Sequence, residues 1–110
     1  MAKKTSIDPF QSLGRFSEPA LLILISLADG PKHGYAMTQD IAQISGQKLG
    51  PGTLYGAITR LEAAGWIEPL PADDRRRPYK LTSAGGRVLR ARLDSLKAMT
   101  RVASARLADA

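Results

Sequence analysis

The sequence predicts a mostly α-helical chain with one small β-hairpin, and three observations carry that reading. Apolar residues recur at helical spacing in Leu54, Ile58 and Leu61, and again in Leu89, Leu93 and Leu96. Between these runs the period changes. WIEPL (66–70) and PYKLT (78–82) are short, the second alternates, and PADDRRR between them has turn chemistry. Proline and glycine also fall where helices begin and end, with Pro51 opening one run and Gly65 closing it.

Residues 1–16, MAKKTSIDPFQSLGRF, read as a loose arm that orders on contact with a partner. A first helix is expected from Ser17 to Ala28. LLILISLA is too apolar to separate helix from strand by periodicity. Ser17 as N-cap, followed by Glu18 and Pro19, decides for helix, and Asp29-Gly30-Pro31 stops it. A second helix spans about Gly34 to Ile44 on a Met37, Ile41 and Ile44 stripe, ended by Ser45-Gly46. The third has Gly50 as N-cap, Pro51 as first residue, and runs to Ala64. The hairpin follows, with Pro69 marking an edge or an early end. The last helix covers Ser83 to Ala108, capped by Thr82 or Ser83. Its apolar stripe is Leu89, Leu93, Leu96, Ala103 and Leu107, widened by Met99 and Val102. At about 1.5 Å per residue this helix is roughly 40 Å long, too long for so small a globule to cover. A second copy of the chain is the simplest partner, giving a homodimer. Three helices and a hairpin make a winged helix-turn-helix over residues 17–82, with 83–110 as a dimerisation helix.

The chain has 110 residues, no cysteine and a single histidine. Disulfides, thiolate metal sites and cysteine nucleophiles are excluded, and no catalytic constellation is spaced along the chain. Neither an enzyme nor a resident cofactor or metal is expected; His33 has no companion ligands. No targeting signal is evident, and the most apolar run, Ala20 to Ala28, is less than half a membrane span. A cytoplasmic protein without membrane association is expected. The net charge of +6 and pI near 10.1 favour a polyanionic partner, nucleic acid first.

Winding the third helix at 100° per residue gives that partner a place to bind. With Leu54, Ile58 and Leu61 turned inward, Gly52, Gly56 and Ala63 lie near the outer face beside Thr59. Arg60 and Thr53 fall on one flank and Tyr55 on the other. In a helix-turn-helix this face enters the DNA major groove, and small residues let the backbone approach. The alternative is that Gly52 is a cap residue and Gly56 packs against another helix. Tyr55 is assigned to a phosphate, against closing the core edge; Thr53 to a base edge or to capping; Thr59 to a base; Arg60 to a phosphate or to solvent. Arg75, Arg76 and Arg77 at the hairpin tip are assigned to DNA backbone or minor groove, against a solvated charge run. Lys32 and His33 are candidate phosphate contacts before the second helix, whereas Tyr79 and Trp66 read as core residues.

GTLYGAITRLEAAGWIE, followed by RRPYKLTSAG and preceded by HGYAMTQDI, resembles the PadR family of bacterial transcriptional regulators over residues 17–86. The resemblance implies a homodimeric winged-helix repressor that binds double-stranded operator DNA and is released by a small-molecule effector. The short C-terminus is similar to the branch with a single dimerisation helix. Gly56 stands where the family often has proline, Pro78 replaces the first of a usual aromatic pair, and Asp73 and Asp74 make the wing tip less basic. The rival function is a winged-helix protein-protein interaction module without specific DNA binding.

Overall fold

The computed structural model describes residues 9–110, and the first half of the arm expected over residues 1–16 lies outside the described residues. The helical elements are α1 (Ser17–Leu27), α2 (Gly34–Ser45), α3 (Pro51–Ala64) and α4 (Ser83–Ala108), with strands β1 (Ile67–Pro69) and β2 (Tyr79–Leu81) between α3 and α4. The predicted class and element order are present.

The start of the chain departs from expectation. Residues Pro9–Phe16 form a 3-10 helical segment kinked at Gly14, and both Phe10 and Phe16 are buried in the core. This half of the expected arm is therefore part of the folded domain, because two aromatic rings remove too much apolar surface from water to be left loose. The segment runs straight into α1, so the N-cap is Phe16 without any side-chain cap, and Ser17 is already helical.

Helix α1 is the central rod. It packs against the 3-10 segment, α2, α3, α4 and β2. That explains why its apolar residues show no stripe: a helix surrounded by neighbours buries most of its circumference. Ile23, Leu24 and Leu27 are fully buried with Met37 and Ile41 of α2, Leu61 of α3 and Ile67 of β1. Ile44, assigned to the α2 stripe, is instead about half exposed, in the last turn of that helix. One polar group enters this core: the buried Ser26 hydroxyl donates to Asp40 Oδ2 at 2.7 Å.

Helix α3 has the predicted ends. Pro51 follows the Gly50 cap, and Gly65, at φ 81°, takes the left-handed C-terminal position that side chains disfavour. The chain then turns into the antiparallel hairpin, with Ile67 opposite Leu81, Glu68 opposite Lys80 and Pro69 opposite Tyr79. Residue 32 adds a bridge to the open side of β2: Lys32 N–H donates to Tyr79 O at 3.1 Å, and Tyr79 N–H to Lys32 O at 3.0 Å. The wing is thereby tied to the turn before α2.

Thr82 caps α4, its hydroxyl oxygen accepting from Gly85 N–H at 3.0 Å. Gly85 lies so close to the Trp66 carbonyl that a side chain would collide with backbone. Trp66 is half-buried at the wing base and tilts against Phe10, ring centroids 5.5 Å apart. Leu89, assigned to the dimer seam, is buried in the chain's own core instead, because the first turns of α4 still lie over α1. Beyond it the stripe is open. Leu93, Met99, Val102 and Leu107 are 38, 52, 48 and 76% exposed, Ala103 is exposed and Leu96 is half-buried.

Replacing Phe16 with alanine removes a buried ring, and such changes cost about 3–5 kcal/mol. Urea unfolding of Phe16→Ala is expected to show a loss in that range. A loss below about 1 kcal/mol would be that of a dispensable arm.

Candidate nucleic-acid interface

The outer face of α3 is bare at its first turn. Nothing lies within 4 Å of a side chain built at Gly52, and Gly52, Thr53 and Thr59 are all exposed. Thr59 donates its hydroxyl hydrogen to Tyr55 O at 2.9 Å within the helix, leaving its oxygen turned outward as an acceptor.

Gly56 does not belong to this face. A side chain there would lie 2.7 Å from the Phe16 ring. Gly56 is bare so that Phe16 can enter the core beside α3, and the assignment of Gly56 to DNA is corrected to a packing role. Phe16 then supports Arg60, whose guanidinium carbon lies 4.0 Å from the ring centroid while Nη1 donates to Gly56 O at 2.9 Å. Arg60 is held along the flank of α3 rather than waving in solvent.

The other flank faces the wing. Tyr55 is 51% exposed and its hydroxyl lies over Gly34, which has no side chain to obstruct it. Between α3 and the hairpin is a cleft of about 300 Å³ walled by Tyr55, His33 and the arginines of residues 75–77. His33 caps α2, its Nδ1 accepting from Ala36 N–H at 3.4 Å, and its Nε2 lies 3.2 Å from Arg76 Nη1. Arg77 Nη1 donates to Leu70 O at 3.0 Å across the hairpin, so one of its donors braces the wing itself. Arg75 stands at the tip. The tip turns between Asp73 and Arg76, with Asp74 and Arg75 at φ 51° and 70°, the positive pair that matches a hairpin's twist. Tyr79 also lines the cleft; burial first, and then the negative charge of Glu62, pushes its phenol above the ordinary value.

Lys32 does not join this wall. Its ammonium donates to Ser26 O and Asp29 Oδ1 and sits 3.9 Å from Asp40 Oδ2. The hydrogen bond and charge of Lys32 hold the Asp29 carboxyl below its ordinary range. Lys32 is thus a structural cation that pins the turn between α1 and α2, and its assignment to phosphate is corrected. Lys80 is paired across the hairpin with Glu68 at 3.2 Å.

Tyr35 was not among the sequence candidates, yet it is 64% exposed in the same cleft, its hydroxyl accepting from Gln39 Nε2 at 3.1 Å. The available signal was its position off the Met37 and Ile41 stripe, one residue past His33-Gly34. Among the described residues no group of three or more His, Cys, Asp or Glu could hold a metal ion, and no helix is long and apolar enough to cross a membrane.

The two glycines of α3 should separate in the laboratory. Gly52→Ala fills open space and is expected to leave stability unchanged or raise it by up to about 1 kcal/mol. Gly56→Ala meets the Phe16 ring and is expected to lower stability by about 1–3 kcal/mol. Thermal or urea unfolding of both variants checks the order.

The model of the transcriptional regulator PadR-like family matches residues 23–91, more than half of the chain. A 37.1 kDa protein in transposon TN4556 of Streptomyces fradiae is 51% identical over 75 residues, covering 68% of this chain and 22% of that protein. Transcriptional regulator Rv3488 of Mycobacterium tuberculosis is 43% identical over 68 residues, covering 59% of this chain and 63% of that protein. The chain therefore spans about a fifth of the length of the first relative and just under two thirds of the second. A PadR family transcription regulator from Clostridium difficile R20291 has the same fold, with a TM-score of 0.71 at 22% identity over 80% of this chain and 96% of that one. The winged helix, the bare face of α3 and the family match over residues 23–91 lead to one conclusion: this chain belongs to the PadR-like family of transcriptional regulators.

Proposed function

We propose that the protein is a sequence-specific double-stranded DNA-binding regulator that acts as a homodimeric repressor. The observation that carries this reading is the open first turn of α3, bare at Gly52 and directly followed by a hairpin whose tip bears three arginines. A helix of this shape fits the major groove, where its side chains reach base edges and its backbone comes close. Thr53 and Thr59 face the bases in this reading. Tyr55, Arg60, His33 and the wing arginines Arg75, Arg76 and Arg77 hold phosphates and set the register.

Dimerisation runs through α4. The seam of Leu93, Met99, Val102, Ala103 and Leu107, with half-buried Leu96, continues beyond the core and gains cover from a partner helix. Two copies place two recognition helices on one side, as a two-fold symmetric operator requires. In the same reading a small-molecule effector releases the repressor from its operator.

The test is fluorescence anisotropy with duplex DNA from upstream of the protein's own gene, against a scrambled duplex, at two salt concentrations. Tight binding to the upstream duplex that weakens steeply with salt is expected, with loss on Tyr55→Ala or Arg76→Ala. Equal affinity for both duplexes would remove the sequence-specific part of the reading. No binding to either by a folded dimer would favour a protein interaction module. Sedimentation equilibrium is expected to show the monomer fraction falling with concentration, and Met99→Glu is expected to shift the protein toward monomer. A strict monomer at tens of micromolar would contradict the dimer.

A further inference from the structure

Arg15 and Phe16 lie outside residues 23–91 matched by the family model, so neither owes its place to that assignment. The Arg15 guanidinium carbon lies 4.9 Å from the Phe16 ring centroid, and Arg60 lies 4.0 Å from the same centroid. One ring thus gathers two guanidinium groups. Among the described residues neither arginine is in an ion pair, and Arg15 itself is exposed. Two exposed guanidinium groups without a carboxylate partner attract an anion such as a phosphate. An open cleft of about 340 Å³ lies at the same place, lined by Arg15, Phe16, Gly52 and Thr53.

The position on α3 matters as much as the charge. At 100° per residue, Tyr55 is on one edge of the outer face, Gly52 and Thr59 are in its middle, and Arg60 and Thr53 are on the other edge. Tyr55 borders the wing cleft with His33 and the arginines of residues 75–77. Thr53 borders the cleft with Arg15. The bare stripe of α3 therefore has a cationic wall on each side. A major groove about 12 Å wide has the same plan, a floor of base edges between two phosphate backbones.

We propose that Arg15 and Arg60, gathered on Phe16, form a second phosphate-binding wall that grips the DNA backbone on the side of the groove opposite the wing. This rests on the DNA-binding reading above and assigns to residues 9–16 a part in DNA binding as well as in the core. Arg15 and the wing then contact different strands of one groove, and their contributions to affinity are independent and additive.

The variant Arg15→Gln tests this. Arg15 is exposed, so the variant keeps the Phe16 packing, and its urea unfolding should match that of the unaltered protein. Binding to the upstream duplex and to the scrambled one is expected to weaken by the same factor, roughly tenfold, with the slope of log K against log salt falling by about one. Phosphate ethylation interference is expected to fade at one backbone for Arg15→Gln and at the opposite backbone for Arg76→Gln. An unchanged affinity and salt slope for Arg15→Gln, while the unaltered protein binds the duplex, would overturn the second wall. So would interference lost at the same phosphates for both variants. Failure of the unaltered protein to bind any duplex would instead overturn the DNA-binding reading on which this one rests.

Discussion

Phe16 against Gly56 is the contact on which the open face of α3 depends. The ring is buried, and it reaches that position only because α3 has no side chain at residue 56. The contact fixes the rotation of α3 about its axis. Leu54, Ala57, Ile58 and Leu61 point inward, and Gly52, Thr53 and Thr59 are left on the open side. It also joins the segment before α1 to α3 and provides the ring on which Arg60 lies. A glycine inside a helix costs roughly 1 kcal/mol relative to alanine. Here the burial of an aromatic ring, worth about 1.5–3 kcal/mol, offsets that cost.

The wing is placed with similar economy. It is a short hairpin, and two strands alone are marginally stable in water. Its attachments include the bridge between Lys32 and Tyr79, the Arg76 to His33 contact at 3.2 Å, the Thr82 N–H to Trp66 O bond at 3.0 Å, and the close approach of Gly85 to the Trp66 carbonyl. Lys32 in turn is pinned by Asp29, Asp40 and the Ser26 carbonyl. Lys32 is thus held within the scaffold, while Arg60, Arg75 and Arg76 lie at the surface. This division follows from the residue types: lysine is a compact charge suited to a carbonyl and carboxylate cage, while arginine presents a planar fork to phosphate and stacks on rings.

Much of this was legible in the sequence because it is local. Caps and breakers such as Pro51, Gly65, Gly46 and Thr82 act over a few residues, and they marked the ends of α2, α3 and α4. The inward stripe of α3 was likewise readable from spacing. What was not readable depends on contacts between distant segments. Phe10 and Phe16 were placed in a loose arm because a polar-rich stretch with glycine has no periodicity; their burial depends on Trp66, α3 and α4 being nearby. Gly56 was placed on the DNA side because a helical wheel shows angle, not the neighbour that fills the space. Lys32 was given to phosphate because its partners Asp40 and Ser26 come from two other helices. Leu89 shares a stripe with Leu93 and Met99, and only the height of the globule shows where the core ends and the seam begins.

In the proposed complex the open face of α3 lies in the major groove. Dimethyl sulfate footprinting of the upstream duplex tests it most directly, since guanine N7 faces the major groove and adenine N3 the minor. Protection of guanine N7 is expected in two half-sites about one helical turn apart, with adenine N3 within the half-sites as reactive as in free DNA. A bound complex in which every guanine N7 remains as reactive as in free DNA would contradict it.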